Sequence, residues 1–200
     1  MAWAPDYITS AQLKAYVRVD ANDTVDDDEI ADAVTAASRA VDQHTHRQFG
    51  QVAVAEARTY TAVYDRHVGM WRIVVDDLGD TTGLDIQAAG GEITTYTLHP
   101  RNALTKGRVY EEIRVPLSAS VTPTGDEGEL TITAPWGWPA TPTAVPLATK
   151  LQGSRFLARR DSPYGVAGSP QDGSEVRLLA RVDPDVAVSL RPYVRDWWVA

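Results

Sequence analysis

Along the chain, apolar positions recur first at helical spacing, then in alternation, then at helical spacing again. Ile30, Val34, Ala37 and Val41 fall four, three and four residues apart, which lines one face of a helix. Asp26, Asp27, Asp28 and Glu29 place negative charge at its start, where the helix macrodipole favours anions, and Gly50 is a natural terminator. A helix over 26–49 would be about 36 Å long. Upstream, Ser10 is a suitable N-cap for a short helix over 11–17. Residues 1–50 are therefore assigned to a helical core.

Between 51 and 138 the period changes. Strands are expected over 52–61, 70–75, 84–86, 94–98, 108–115 and 130–133, all rich in β-branched and aromatic residues. Turn chemistry separates them at Gly79-Asp80, Gly90-Gly91, Pro100-Arg101-Asn102 and Pro123-Thr124-Gly125-Asp126. Strands about a dozen residues apart suggest an antiparallel sheet, sandwich or small barrel.

From 139 to 200 the pattern returns to helix. Pro139, Pro142 and Pro146 punctuate the entry, and Val145, Ala148, Leu151, Phe156 and Leu157 supply an apolar face ending at Arg159 and Arg160. Gly, Ser and Pro over 161–175 predict a loop. Asp183-Pro184 then reads as an N-cap followed by proline at the first helical position, and Pro192 argues against a long continuation. The fold expected is α+β, with the N- and C-terminal segments forming the helical core and an antiparallel β subdomain inserted at 51–138. Residues 145–160 are the natural partner for the stripe at 26–49.

Composition narrows the function classes. The 200 residues include no cysteine, which excludes disulfides, thiolate metal sites and a cysteine nucleophile. With 27 acidic and 19 basic residues the net charge is −8, against the basic face that phosphate-backbone binding requires. The first residues show neither a basic n-region nor an apolar h-region, and no apolar run approaches the roughly 20 residues of a membrane span. A soluble protein made in the cytoplasm is expected.

The search for catalytic chemistry is unproductive. Residues 20–31 fail the calcium-loop pattern, with Val25 where glycine is needed and Ala31 where glutamate is needed. His44 and His46, two apart on a helix, would point about 200° apart. Asp76, Asp77, Asp80 and Asp85 read as a strand running into a turn rather than as paired acid–base carboxylates. No nucleophile elbow or phosphate-binding glycine loop is present. No catalytic residue, metal or cofactor is assigned. The C-terminus is more informative, because Arg191, Tyr193, Arg195, Trp197 and Trp198 are anchor residue types at protein interfaces. Each tryptophan offers about 150–250 Å² for burial.

The order of these segments resembles the head–tail adaptor (connector) family of long-tailed bacteriophages, in its larger actinobacteriophage type. The likeness is carried by residues 7–17, 30–41 and 46–49, then by 96–100, 136–139 and 159–168, and by Leu178-Leu179-Ala180-Arg181-Val182-Asp183-Pro184-Asp185-Val186. It is dense at both ends and thin in the middle; smaller members of the family are nearly all-helical. The resemblance implies a non-enzymatic virion protein of the phage neck. Its copies would form a ring, usually dodecameric, between the portal protein and a stopper or tail-completion protein. Genomic DNA would pass through an acidic channel without specific binding, and no membrane is involved. It also implies portal docking by Arg191, Tyr193, Arg195, Trp197 and Trp198. Subunit packing is expected to involve Asp27, Glu29, Arg159 and Arg160, the acidic helix start of one copy meeting the arginines of another. Two alternatives stand beside it. One is a different neck protein, a stopper or tail terminator; the other is a glycan-binding β module using Trp136, Trp138, Tyr96 and Tyr110 as a stacking platform.

Overall fold

The computed structural model describes residues 4–160, 166–167, 176–177 and 183–195. The fold is α+β, and the chain divides into two compact units, Met1–Phe49 with Thr141–Ala200 and Gly50–Ala140.

The first unit is helical. Helix α1 (Ser10–Val17) is capped by Thr9 rather than by Ser10. The Thr9 side chain accepts the Gln12 N–H at 3.2 Å while the Gln12 amide oxygen accepts the Thr9 N–H at 2.9 Å. This reciprocal box satisfies two N-terminal donors at once, an arrangement Ser10 lacks a glutamine at the right spacing to make. Helix α2 (Asp27–Thr45) buries Ile30, Ala33, Val34, Ala37 and Val41, the stripe read from the sequence with one member added. It stops four residues before the expected end, because His46 takes the left-handed conformation at φ 55°; 19 residues make it about 28 Å long.

Helix α3 (Ala144–Arg160) presents Val145, Ala148, Thr149, Gln152 and Gly153 as its buried positions. Gly153 permits close approach, since a Cβ there would lie 3.1 Å from a Leu13 methyl and 3.7 Å from the Ala37 Cβ. Helix α4 (Pro184–Leu190) opens with the Asp183 carboxylate accepting the Asp185 N–H at 2.9 Å. Arg155 of α3 holds the same carboxylate at 3.1 Å. A 3-10 turn, Arg191–Tyr193, follows α4. Within the expected 161–175 loop and just beyond it, Val166–Ala167 (β9) and Val176–Arg177 (β10) pair antiparallel.

The second unit holds two four-stranded sheets in which every ladder is antiparallel. In chain order the strands are β1 (Glu56–Tyr60), β2 (Val63–Asp65), β3 (Met70–Leu78), β4 (Asp85–Ala88), β5 (Gly91–Glu92), β6 (Thr97–His99), β7 (Tyr110–Pro116) and β8 (Leu130–Ala134). One sheet runs β1-β8-β4-β5 and the other β2-β3-β7-β6. The strand expected over 52–61 is thus shorter than predicted. After two residues outside the ladders, Thr61 and Ala62, the chain crosses into the other sheet as β2. Gly91, expected in a turn, begins β5, and only the last two residues of the expected strand 94–98 join β6.

Ile73, Val75, Ile113 and Val115 of one sheet share a core with Ile86, Leu130, Ile132 and Trp136 associated with the other. Alternation is clean in β8, where Leu130, Ile132 and Ala134 are buried and Thr131 is exposed. In β3 the pairing slips between Val74 and Leu78. That irregularity leaves consecutive residues Asp77 and Leu78 both buried, as a bulge does when it re-aims a side chain.

Candidate functional site

The last described residues of the chain are fastened to the end of α2 by aromatic packing and backbone hydrogen bonding. The Tyr193 ring meets the Phe49 ring edge-on at 6.0 Å, and Tyr7 approaches the same ring at 5.8 Å. The Arg195 N–H donates to the Thr45 carbonyl at 2.8 Å, and Arg195 is buried. Thr45 is itself fixed, its hydroxyl donating to the Val41 carbonyl at 2.8 Å.

A polar cluster lies beneath this aromatic group. The Tyr7 hydroxyl donates to Asp42 and accepts the Phe49 N–H at 2.9 Å. Arg39 stands 3.2 Å from the other Asp42 oxygen and donates to the Pro5 carbonyl at 2.5 Å. Burial raises the Asp42 pKa above the ordinary aspartate value, against the opposing pull of the Tyr7 hydrogen bond and the Arg39 charge. Burial, then the hydrogen bond to Asp42, also raises the Tyr7 pKa, so the phenol stays protonated and remains a donor. The N-terminal segment, the end of α2 and the C-terminal segment therefore meet around Phe49.

Of the residues expected to dock a partner, Arg191 is exposed, Tyr193 half-buried and Arg195 buried. Trp197 and Trp198 lie outside the described residues. Among those expected to pack subunits, Arg160 pairs with Asp26 of its own chain at 2.8 Å. Asp27 is engaged by Lys14, whose ammonium also donates to the Asp23 carbonyl at 2.6 Å. Glu29 is exposed on the first turn of α2 and Arg159 is half-buried in the last turn of α3. Arg160 thus reaches the acidic helix start within one copy, onto Asp26 rather than Asp27 or Glu29.

The chain matches no protein-family model and no curated protein.

The remaining sequence candidates find structural employment. Asp76 accepts hydrogen bonds from Arg58 at 2.7 Å and from the Tyr60 hydroxyl at 2.9 Å. Asp77 accepts the Trp138 indole N–H at 2.6 Å. Asp80 accepts the Thr82 N–H at 2.9 Å, a bond that helps hold its pKa below the ordinary value, and Asp85 accepts from Gln87 at 2.8 Å. Each carboxylate serves a different neighbour. Trp136 and Trp138 are 1% and 4% exposed, so neither offers a face for stacking a sugar. Trp136 donates its indole N–H to the Glu56 carbonyl at 2.8 Å and has the Arg58 guanidinium 5.2 Å from its ring. His44 lies in the last turn of α2 and His46 just past its end. Among the described residues no group of three or more His, Asp or Glu is placed to hold a metal ion, and no helix is long and apolar enough to cross a membrane.

Sequence reasoning quoted Tyr7 and Phe49 but did not pair them with Asp42, Thr45 or Tyr193. The available signal was the isolated aromatic at each end of the helical zone, and it carried no information on which aromatics meet.

Proposed function

We propose that this chain is a structural subunit of a bacteriophage neck, a head–tail adaptor made in the host cytoplasm and carried in the virion. Its copies form a ring, usually dodecameric, that joins the portal to the stopper or tail-completion protein. The ring surrounds the DNA path without binding DNA specifically. One observation carries the reading: segments from both ends of the chain, where the ordered resemblance is densest, fold together into a single helical unit. Within that unit Arg195 and Tyr193 hold the C-terminal segment beside Thr45 and Phe49. A net charge of −8 per copy suits a channel along which phosphates slide instead of adhering.

The test is assembly with the portal protein. Native mass spectrometry of the pair is expected to give a ring-on-ring complex with the full chain. Deleting residues 196–200 should leave a folded subunit, with an unchanged circular dichroism spectrum, that no longer attaches. A truncated subunit that attaches normally removes the docking role from the tail. Full-length protein that forms neither a ring nor a portal complex removes the adaptor reading altogether.

A further inference from the structure

Two exposed features of this chain carry opposite charge, and most charged groups of each have no ion-pair partner among the described residues. The loop between β6 and β7 bears Arg101, Lys106 and Arg108, all exposed. No Asp or Glu occurs anywhere in 97–110, and none of the three cations has an ion-pair partner among the described residues. The loop is a built structure. Ala103 is fully buried beneath it, and its carbonyl accepts the N–H groups of Lys106 and Arg108, each at 2.9 Å. Gly107 turns the chain at φ 64°. Leu104 stands among the cations, 43% exposed. The local field is positive enough to register on His99, whose pKa is lowered by burial, then by Arg114, with Arg101 contributing.

The opposite feature lies on the helical unit. Residues 19–38 hold seven carboxylates and no Lys or Arg. Lys14 engages Asp27 and Arg160 engages Asp26, which leaves Asp20, Asp23, Asp28, Glu29 and Asp32 exposed and without an ion pair among the described residues. In their midst Val25 is 85% exposed. Each feature is therefore an apolar side chain ringed by charge, of one sign on the β unit and the other on the helical unit. That is the layout of a protein interface, with an apolar centre and a polar rim.

We propose that the 100–108 loop of one copy docks on the 20–32 surface of a second copy, setting Leu104 against Val25. Lys106 and the two arginines then face Asp23, Asp28 and Glu29. The contact is heterologous, joining two different surfaces, and such contacts close into a ring when the rotation between copies permits. It rests on the ring reading above and supplies it with an interface. A phosphate backbone is the weaker occupant, because it offers nothing apolar to Leu104 and is repelled by the acidic remainder of the chain.

The absence of cysteine makes the contact directly testable. Thr24→Cys and Thr105→Cys, both at exposed positions, are made singly, mixed, and treated with a short bis-maleimide, alone and with portal protein. Any link between the two different variants then joins two copies. The expected result is a predominant Thr24–Thr105 heteropair. It should be lost near about 1 M salt, where the Debye length falls to about 3 Å. Adding Lys106→Glu and Arg108→Glu to the Thr105→Cys chain should cut the yield by about tenfold, the order of one lost charge pair. Adding Asp28→Lys and Glu29→Lys to the Thr24→Cys chain should restore it.

Absence of the heteropair, a Thr105–Thr105 homopair in its place, or a yield indifferent to charge reversal overturns the proposal. So does finding that the loop substitutions abolish retention on DNA while no heteropair forms, which would assign the loop to nucleic acid. The mass of the assembled product separates this inference from the ring reading. Closed rings indifferent to charge reversal sink the contact and keep the ring. Open assemblies of unlimited length that still yield the Thr24–Thr105 heteropair keep the contact and sink the ring.

Discussion

Replacing Tyr7 by phenylalanine removes a single oxygen from the place where the N-terminal segment, α2 and the C-terminal segment meet. The ring and its edge-on packing against Phe49 at 5.8 Å are retained. Two hydrogen bonds are lost: the one donated to Asp42 and the one accepted from the Phe49 N–H at 2.9 Å. A hydrogen bond to a charged acceptor contributes about 1.5–3 kcal/mol, and stranding a buried donor costs about 1–3 kcal/mol. Asp42 keeps Arg39 at 3.2 Å, so the losses fall short of additive and about 3 kcal/mol is expected at pH 7. That is a large share of a total stability of about 5–15 kcal/mol.

The penalty should depend on pH in a definite direction. Burial raises the Asp42 pKa in the folded chain, and the Tyr7 hydrogen bond is the strongest influence holding it down. Removing the hydroxyl raises it further. Between the unfolded and folded pKa values the native chain holds more protons than the unfolded chain, so stability falls as pH rises through that window. The variant suffers most where Asp42 is ionised and lacks its donor. Urea denaturation of both proteins from pH 7 down toward about 4 should show the difference shrinking as pH falls. Faster hydrogen exchange at the Phe49 and Arg195 amides should accompany the loss. A destabilisation below about 0.5 kcal/mol at pH 7, or one that stays constant with pH, would refute the account of Asp42 as a buried carboxylate served by the phenol.

Three further predictions concern the β unit. Gly137→Ala should destabilise it by about 3 kcal/mol or more in urea denaturation, because φ is 106° and the added Cβ would lie 2.0 Å from the Gly50 carbonyl oxygen. Glu112 joins Arg72 at 2.9 Å and Arg114 across the outer face of its sheet. Burial would raise its pKa, but the two arginines prevail and hold it below the ordinary glutamate value. Its contribution is therefore present above the unfolded glutamate pKa and lost as pH falls through the lower folded one; Glu112→Gln should flatten that part of the stability–pH profile. Excising residues 50–140 and joining 49 to 141 through a short Gly/Ser linker should leave a protein with a helical circular dichroism spectrum and a cooperative thermal transition.

Much of the helical unit was legible because periodicity states it directly. Ile30, Val34, Ala37 and Val41 share one face whatever surrounds them, and Asp183-Pro184 encodes its own cap. What was not legible depended on choices between near-equivalent residues. Thr9 and Ser10 both suit an N-cap, and only the glutamine at position 12 decides between them. His46 adopts the conformation that glycine at 50 was expected to supply, a preference too weak to read locally. Most strands were found but not β2, β5 or the division into sheets, because passage from β1 to β2 through Thr61 and Ala62 changes the partner strands without interrupting the apolar alternation. The burial of Asp77 follows from the slip in β3, which leaves no mark on composition. For the candidate site, residue type pointed to the C-terminal aromatics. The meeting of Tyr193 with Phe49 is a three-dimensional fact with no sequence signature.

The β unit is closed at its own two ends. Its first and last residues are bonded to each other. The Trp138 N–H donates to the Gly50 carbonyl at 2.8 Å, the Val52 N–H donates to the Trp136 carbonyl at 3.0 Å, and Gln51 bridges Gly137. The chain therefore enters and leaves the unit at neighbouring points. Closing a loop costs little more when the loop is long, since the entropy grows only with the logarithm of its length, and a β unit with its own core stabilises itself. Gly137 is where this economy is enforced: with the Gly50 carbonyl so near, no side chain fits between the two crossing strands. An insertion built this way can diverge in sequence while leaving α2 and α3 undisturbed. That makes the β unit the part of the chain freest to acquire a contact of its own.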